Sequence, residues 1–430
     1  MKPAALSIDD LRAVVRDLPD NGLAQVREAA LGRLGEQSLP TPKVEDWKYT
    51  DLAQAIDISN RWLQSGSDDA PATDRDEAAE AVASIDAIWL VIENGAVSER
   101  HLSRAVDDGV DAKPLSTVPA AISGERPLDT LNAALLQDGL HIDVTRPLSK
   151  PVGILILDRA IGGAQVSQSR VHIDVAEGCK ADVIEYHVSS GDEDHYANSV
   201  LSISVAANAE LNHVRLQDRA IGHVQTSLTD ITMGRDSSLR MAGYDLGGGL
   251  IRNDLEIDLG EPGASVSFNG LYLAGDGQHI DNHTKVDHRV GPATSSQEYR
   301  GILNGKCRCV WNGKAIVHEG ADGTDANQAN HNLLLTDKAE IDAKPELEIY
   351  ADDVRCSHGT TVGQLDETAL FYLRSRGLDK QHAMQVLTHA FAADLVARIP
   401  VGAARDRVSE IVESRLADLI DAQPDAGSAP

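Results

Sequence analysis

The chain has 430 residues, with 39 Lys plus Arg against 67 Asp plus Glu, a formal net charge of −28, 35 Gly and three Phe. Such a length suits two or three domains of ~150 residues, or one longer solenoid. The composition, 42% hydrophobic and 25% charged, is that of a folded globular chain. No apolar run approaches the ~18 residues of a membrane span, and strong acidity with no run of Lys and Arg argues against nucleic acid as a partner.

The first residues carry Asp9, Asp10 and Asp17 among apolar neighbours and lack the basic, then apolar, then small-residue order of a secretory signal. Four scattered cysteines, Cys179, Cys307, Cys309 and Cys356, do not make a disulfide framework. The cytoplasm is the expected compartment, with the thiols free.

Leu11, Val14, Val15 and Leu18 follow helical spacing after Ser7, a suitable N-cap, and Pro19 closes the segment. Leu23, Val26, Ala30, Leu31 and Leu34 repeat the pattern before Pro40-Thr-Pro42 and the stretch Val44 to Leu52, which predicts a small helical lobe. Residues 64–80 are rich in Ser, Asp, Ala and Glu and read as a disordered acidic linker.

From about Ile85 to about Tyr350 the period becomes alternating, as in Val171, Ile173, Val175 or Leu255, Ile257, Leu259, and predicts short strands. Each run ends at a turn signal: Ala176-Glu-Gly178, Ala207-Asn-Ala209, Arg235-Asp-Ser237, Glu261-Pro-Gly263, Gly291-Pro-Ala293. The residues opening the next strands, Cys179, Ala209, Ser237, Ala264 and Thr294, are spaced by 30, 28, 27 and 30 residues. That near-constant interval, with few aromatics, favours a β-solenoid filled by narrow layers of small and β-branched side chains over a sandwich. After His358 the helical period returns. Asp366 can cap a helix bearing Leu370, Phe371 and Leu373, Asp379 one bearing Met384, Leu387, Phe391 and Leu395, and a third carries Val408, Ile411, Val412, Leu416 and Leu419. The tail from Gln423 to Pro430 reads as frayed.

Several constellations invite chemistry. Cys307 and Cys309 are ~6.6 Å apart on an extended strand, too far to grip one metal without convergence, and read as small apolar filling. His279, His283 and His288 spread over both faces of a strand and read as surface or ladder histidines. Gly247-Gly-Gly249 lacks the Lys and Ser/Thr of a phosphate loop and is a turn. Cys356-Ser-His358-Gly359 stands where strands give way to helices. Thiol and imidazole suit iron, zinc or copper, and two side chains leave a coordination sphere that a neighbour must complete.

Around that site the segment from Asp352 to Gly377, Asp-Asp-Val-Arg-Cys-Ser-His-Gly-Thr-Thr-Val-Gly-Gln-Leu-Asp-Glu-Thr-Ala-Leu-Phe-Tyr-Leu-Arg-Ser-Arg-Gly, closely resembles the SufB/SufD family of iron–sulfur cluster assembly proteins. Glu45-Asp-Trp-Lys-Tyr-Thr50, Asp281-Asn-His283 and Lys344-Pro-Glu-Leu-Glu-Ile-Tyr350 support the match. SufB-type members carry the principal cluster cysteine and a Glu-His-Glu group here, so Cys-Ser-His-Gly resembles the SufD type. The resemblance implies a mainly β fold, a right-handed parallel β-helix core (residues 85–358) between an N-terminal helical domain with its linker (1–84) and a C-terminal helical domain (359–430). It also implies a non-catalytic scaffold subunit that pairs with SufB through the end of the β-helix and docks the ATPase SufC through its C-terminal helices, at Phe371, Arg374, Arg376 and Phe391. His358 and Cys356 match the residues implicated at the SufB contact, with His358 the candidate metal ligand. No cofactor is then expected to bind this chain tightly by itself; a transient Fe–S cluster or iron sits at the SufB interface, and a homodimer is the alternative when the chain is alone. The competing reading is a β-helix carbohydrate-active enzyme, a lyase or hydrolase, using Asp276, Asp281 and Asp287 with Lys285 or Arg289.

Overall fold

The structure, a computed structural model, describes residues 6–65, 77–118, 122 and 126–421. The greater part of the acidic linker and the tail after Asp421 lie outside the described residues. Alternating side chains in short extended runs produce two parallel sheets that face each other. One contains, edge to edge, β19 (Arg355–Gly363), β17 (Asp325–Leu334), β15 (Thr294–Leu303), β13 (Ser265–Ala274), β11 (Ser238–Asp245), β9 (Glu210–Asp218), β7 (Lys180–Gly191), β5 (Val152–Ala160) and β1 (Ile88–Glu93), with β2 (Ala96–Val97) antiparallel beyond β1. The other contains β18 (Glu340–Ile349), β16 (Arg308–Val317), β14 (His279–His288), β12 (Leu250–Leu259), β10 (Val224–Met233), β8 (His195–Val205), β6 (Gln165–Val175) and β4 (Leu140–Val144), with β3 (Asp111–Pro114) antiparallel beyond β4. From β4 onward successive strands alternate between the sheets, so the chain winds a parallel β-solenoid of about seven turns.

The turn interval read from the sequence is the register. Lys180 lies beside Glu210, Glu210 beside Ser238, Ser238 beside Ser265, and Ser265 beside Thr294, steps of 30, 28, 27 and 29 residues. At one corner Gly178, Asn208, Asp236 and Gly263 all take left-handed backbone, with φ of 70°, 58°, 54° and 83°. That conformation suits Gly and is tolerated by Asn and Asp. It also turns each N–H onto the next turn: Gly178 N–H donates to the Ala207 carbonyl at 3.0 Å, Asn208 to Arg235 at 2.8 Å and Gly263 to Pro292 at 2.7 Å.

The interior departs from the expected filling. Beside this corner Val183, Leu211, Leu239 and Val266 meet Ile173, Ile203, Ile231 and Ile257 in an apolar half. Farther along the same strands the inward positions hold Glu185, His187, His213, Arg215 and Asp245 opposite Ser169, Ser199, Ser227 and Asn253, all buried. These groups are tolerated because they pair. Arg215 NH2 lies 2.9 Å from Asp245 Oδ1 and its NH1 donates to Asn253 Oδ1 at 2.7 Å, while Arg219 NH1 lies 2.6 Å from Asp158 Oδ2.

Helices coat both outer faces. The expected caps form: Ser7 Oγ accepts from Asp10 N–H at α1 (Ile8–Asp17), Asp366 from Thr368 N–H at α7 (Glu367–Ser375), and Asp379 from His382 N–H at α8 (Lys380–Ala397). With α2 (Ala24–Glu36), α3 (Ala53–Ser65) and α6 (Pro127–Leu135), α1 packs on Tyr196, Val200, Val224 and Leu228 of the second sheet. Leu395, Val408, Ile411, Val412 and Leu416 of α8 and α9 (Gly402–Asp421) cover Leu216, Leu271, Leu273 and Ile302 of the first. The region expected to be wholly alternating contains α5 (Glu99–Asp107) and α6, and α4 (Glu77–Val82) stands at the end of the segment read as disordered. Every residue from Leu128 to Leu135 is buried, including the polar side of α6, where Arg170 donates to Asp129 and Asn132. The strands run on to Gly363, five residues past 358.

Burial pushes the imidazole of His195 down to about 3 and that of His288 down to about 4; the nearby carboxylates, Asp158 and Asp287, offset this only in part. Unfolded, both titrate near ~6.5. Stability is therefore complete above that pH and is lost as pH falls toward 4, by up to ~1.4 kcal/mol per unit for each group. The thermal midpoint should fall between pH 6.5 and 4.5, and His288→Asn should make that fall shallower. An identical slope in the variant would show that His288 does not enter the native state neutral.

Candidate functional site

The two sheets end differently. At the start of the solenoid the sheets end on short antiparallel strands, β2 of two residues and β3 of four, whereas at the other end they end on the long parallel strands β18 and β19, each with one edge unpaired among the described residues. Parallel pairing places Cys356 beside Ala326, His358 beside Gln328 and Thr360 beside Asn330. Ala326, Gln328 and Asn330 point inward and are buried, so by alternation Cys356, His358 and Thr360 continue the same inward columns. With no turn above them, His358 is exposed and Cys356 half-buried.

Beneath His358, Gln328 has neither side-chain polar atom hydrogen-bonded within the described residues, and Thr360 Oγ1 is likewise unpartnered. Burial pushes the Cys356 thiol up, and the Asp325 carboxylate adds to this. It is therefore protonated near neutral pH and becomes a ligand only where a metal displaces the proton. Cys356 and His358 project in one direction, ~7 Å apart along the strand, and supply two donors. Ile349, Tyr350 and Val362 leave 42%, 63% and 55% of their surface exposed around this end. The 30-residue step that sets 328 under 358 was readable from the turn interval; that Gln328 would lack partners was not.

The residues expected to dock an ATPase separate into two places. Phe371 is 73% exposed on α7, with Arg374 and Arg376 also exposed; the Arg376 guanidinium lies 5.4 Å from the Tyr372 ring centre. Phe391 is instead half-buried against the solenoid, with Arg300 over its ring at 5.4 Å and Arg300 NH1 donating to its carbonyl at 2.7 Å. Val386, 47% exposed on α8, is a neighbour the helical pattern did not single out.

The remaining motifs are absorbed by packing. The stretch Glu45 to Thr50 latches onto the later turns: Arg252 stacks 4.4 Å from the Trp47 ring centre and donates to the Asp46 carbonyl at 3.0 Å and to Asp281 Oδ2 at 2.5 Å. Thr50 Oγ1 donates to the same carboxylate and lies 2.7 Å from His279 Nε2, and Arg308 lies 5.2 Å from the Tyr49 ring centre. Burial alone would raise Asp281, but Arg252 foremost, with His283 and Thr50, holds it below the usual carboxylate range. His288 is no surface residue; it is buried and bonded to Ser295 Oγ at 2.8 Å. Cys307 and Cys309 fill the interior. Of the carboxylates considered for glycoside chemistry, Asp276 accepts the Lys306 N–H at a turn, and Asp287 pairs with Lys285 and His318, each at 2.9 Å. Asp281 and Asp287, six residues apart on one strand, are separated by ~20 Å, beyond the ~5–9.5 Å of a glycosidase pair.

The sequence is similar to that of known proteins over almost the whole chain. Residues 158–391 match the family model for the SUF system FeS cluster assembly SufBD core domain, and residues 8–123 match the SufBD protein N-terminal region. The chain belongs to the SufBD family. The iron–sulfur cluster assembly protein SufD of Escherichia coli K12 is 34% identical over 374 residues, covering 85% of this chain and 86% of that protein. SufD of Bacillus subtilis is 25% identical over 430 residues, covering 92% and 94%, and a SufBD family protein of Synechocystis is 28% identical over 442 residues, covering 94% and 93%. The core match takes in β19 and α7, and the chain is thus an iron–sulfur cluster assembly family member similar to SufD.

The latch gives a direct test of how the N-terminal lobe is held. Arg252→Met leaves the Asp281 carboxylate buried without its guanidinium, a loss of about 3–5 kcal/mol, and unstacks Trp47. The melting temperature should fall by several degrees, and by less in Thr50→Val, which removes about 1–2 kcal/mol of hydrogen bonding. Equal melting of Arg252→Met and the parent would mean that the lobe is secured elsewhere.

Proposed function

We propose that this chain is the SufD-type, non-catalytic subunit of a cytoplasmic scaffold. It pairs with SufB through the open end of its solenoid, docks SufC through α7 and the outer side of α8, and homodimerises through the same end when SufB is absent. The cargo is a nascent Fe–S cluster, or iron on the way to one, held between His358, Cys356 and donors supplied by SufB. The observation that carries this reading is the unpaired end of both sheets, where His358 stands on an unpartnered Gln328 inside an apolar rim. A second solenoid end would pair the free edges, cover Ile349, Tyr350 and Val362, and complete a donor set that two side chains leave open.

Co-expression with SufB and SufC tests it. His358 is exposed, so His358→Ala should leave the melting temperature and the stoichiometry of the complex unchanged. Iron and sulfide per mole of assembled complex should nevertheless drop several-fold, with a smaller drop for Cys356→Ala. Parental cluster content in the His358→Ala complex would remove this residue from assembly. Deleting everything after Gly363 is not a clean probe of SufC docking, since α8 and α9 cover an apolar face. Phe371→Ser with Tyr372→Ser alters only exposed side chains and should weaken SufC binding at least tenfold, the scale of a buried aromatic anchor. Unchanged affinity would move the SufC contact off α7.

A further inference from the structure

The tripeptide His-Ile-Asp occurs three times, and two of the copies, His141-Ile142-Asp143 and His172-Ile173-Asp174, lie on adjacent strands of the second sheet; the third, His279-Ile280-Asp281, belongs to the latch on β14. The β4–β6 register sets His141 beside His172 and Asp143 beside Asp174. Ile142 and Ile173 both point into the apolar half of the interior, so the four polar side chains stand together on the outer face. His141 Nε2 lies 2.7 Å from Asp174 Oδ2 and 3.4 Å from Asp143 Oδ1. One ligand atom from each of these three residues falls within 4.8 Å of the other two. The His172 ring is edge-on to that of His141 at 6.4 Å, and its Nε2 is inaccessible and has no hydrogen-bond partner within the described residues.

The flanking strands set the charge of the site. On β3, Lys113 lies beside His141 and Asp111 beside Asp143; on β8 the corresponding places are Ser202 and Ser204. Lys113 Nζ donates to Asp143 Oδ2 at 2.9 Å, which leaves Oδ1 directed at His141. Lys113 therefore competes with a cation for Asp143 without blocking the other two donors. Imidazole nitrogen with carboxylate oxygen is a borderline donor set: it suits Zn²⁺, Fe²⁺, Co²⁺ or Ni²⁺, whereas Ca²⁺ and Mg²⁺ call for oxygen alone.

We propose that His141, Asp143 and Asp174, with His172 at their side, bind a first-row divalent transition-metal ion that staples β4 to β6. The site is separate from the cluster-building end. Seven strand spacings of ~4.8 Å put β4 about 34 Å from β18, so this inference does not rest on the functional reading above.

The test is titration of the full chain with Co²⁺, following the visible ligand-field bands that inner-sphere coordination produces, and with Zn²⁺ by calorimetry. One equivalent should bind, and Zn²⁺ should raise the melting temperature. Affinity should fall at least tenfold in His141→Ala and in Asp174→Asn, as expected for loss of a ligand, while a variant lacking both Cys356 and His358 keeps it. Asp174 is half-exposed, so its variant remains informative should His141→Ala fold poorly. Lys113→Met should tighten binding several-fold, a gain that a purely structural ion-pair cluster would not show. Absence of Co²⁺ bands from the parent at tenfold excess, parental affinity in Asp174→Asn, or loss of the bands on removing Cys356 and His358 would each overturn the site.

Discussion

A turn of parallel solenoid cannot satisfy its own peptide groups; its N–H and C=O groups find partners only in the turns above and below. Everything else in this chain is arranged around that constraint. It requires each turn to return to the same place, which the left-handed corner residues achieve, and it leaves a problem at both ends. At the beginning the exposed edge is kept short, because β2 and β3 reverse direction and are only two and four residues long. At the other end the parallel ladder simply stops, and the exposed apolar rim and the Cys356 and His358 side chains stand where it stops. A fold with a short antiparallel edge at one terminus and a long parallel edge at the other has a direction.

The interior is divided across its width and also along its length. Glu185, Arg215 and Asp245 lie in the middle turns, and the column that ends at His358 passes through His213, Met241, Phe268, Gln297 and Gln328. Phe268, Tyr299 and Trp311 form a run of rings 6.3 and 6.1 Å apart between the two polar regions. Gly270 leaves the room this needs, since a Cβ there would meet the Tyr299 ring at 2.1 Å. The aromatic layer thus separates the ion pairs of the middle turns from the polar groups at the open end, where Gln328 and Thr360 lack partners within the described residues.

Much of this was legible in the residues. The recurrent turn signals supplied the register to within a residue, because a left-handed corner accepts few side chains. The Ser7, Asp366 and Asp379 caps were legible for a similar reason, as only short side chains with an acceptor oxygen reach back to the first turn of a helix. What escaped is nonlocal. Glu185 and Arg215 look like surface residues until the opposite strand is known, α6 is nine residues long with polar side chains that are buried against Arg170, and Phe391 shares the periodicity of an exposed stripe while facing Arg300. The free end followed from order along the chain, since Cys356 and His358 fall in the last strand. The cluster of His141, Asp143, His172 and Asp174 did not, although the first two of the three His-Ile-Asp copies are one turn apart and the turn interval places them side by side.

The latch between Thr50 and β14 has a consequence for how the protein is made. Thr50 and His279 are 229 residues apart, and at about 5–20 residues per second of synthesis the first waits roughly 11 to 46 seconds for the second to leave the ribosome. Trp47 spends most of that interval, roughly 10 to 41 seconds at the same rate, without the Arg252 guanidinium that later covers it. Turns can accrete one upon another as they emerge, each offering its edges to the next, but this part of the N-terminal lobe cannot settle until β12 and β14 have been laid down. Docking at Arg252 and His279 therefore counts turns: it closes the N-terminal lobe over a solenoid that has already grown as far as β14, and leaves a shorter nascent chain with its first aromatic anchor still in water.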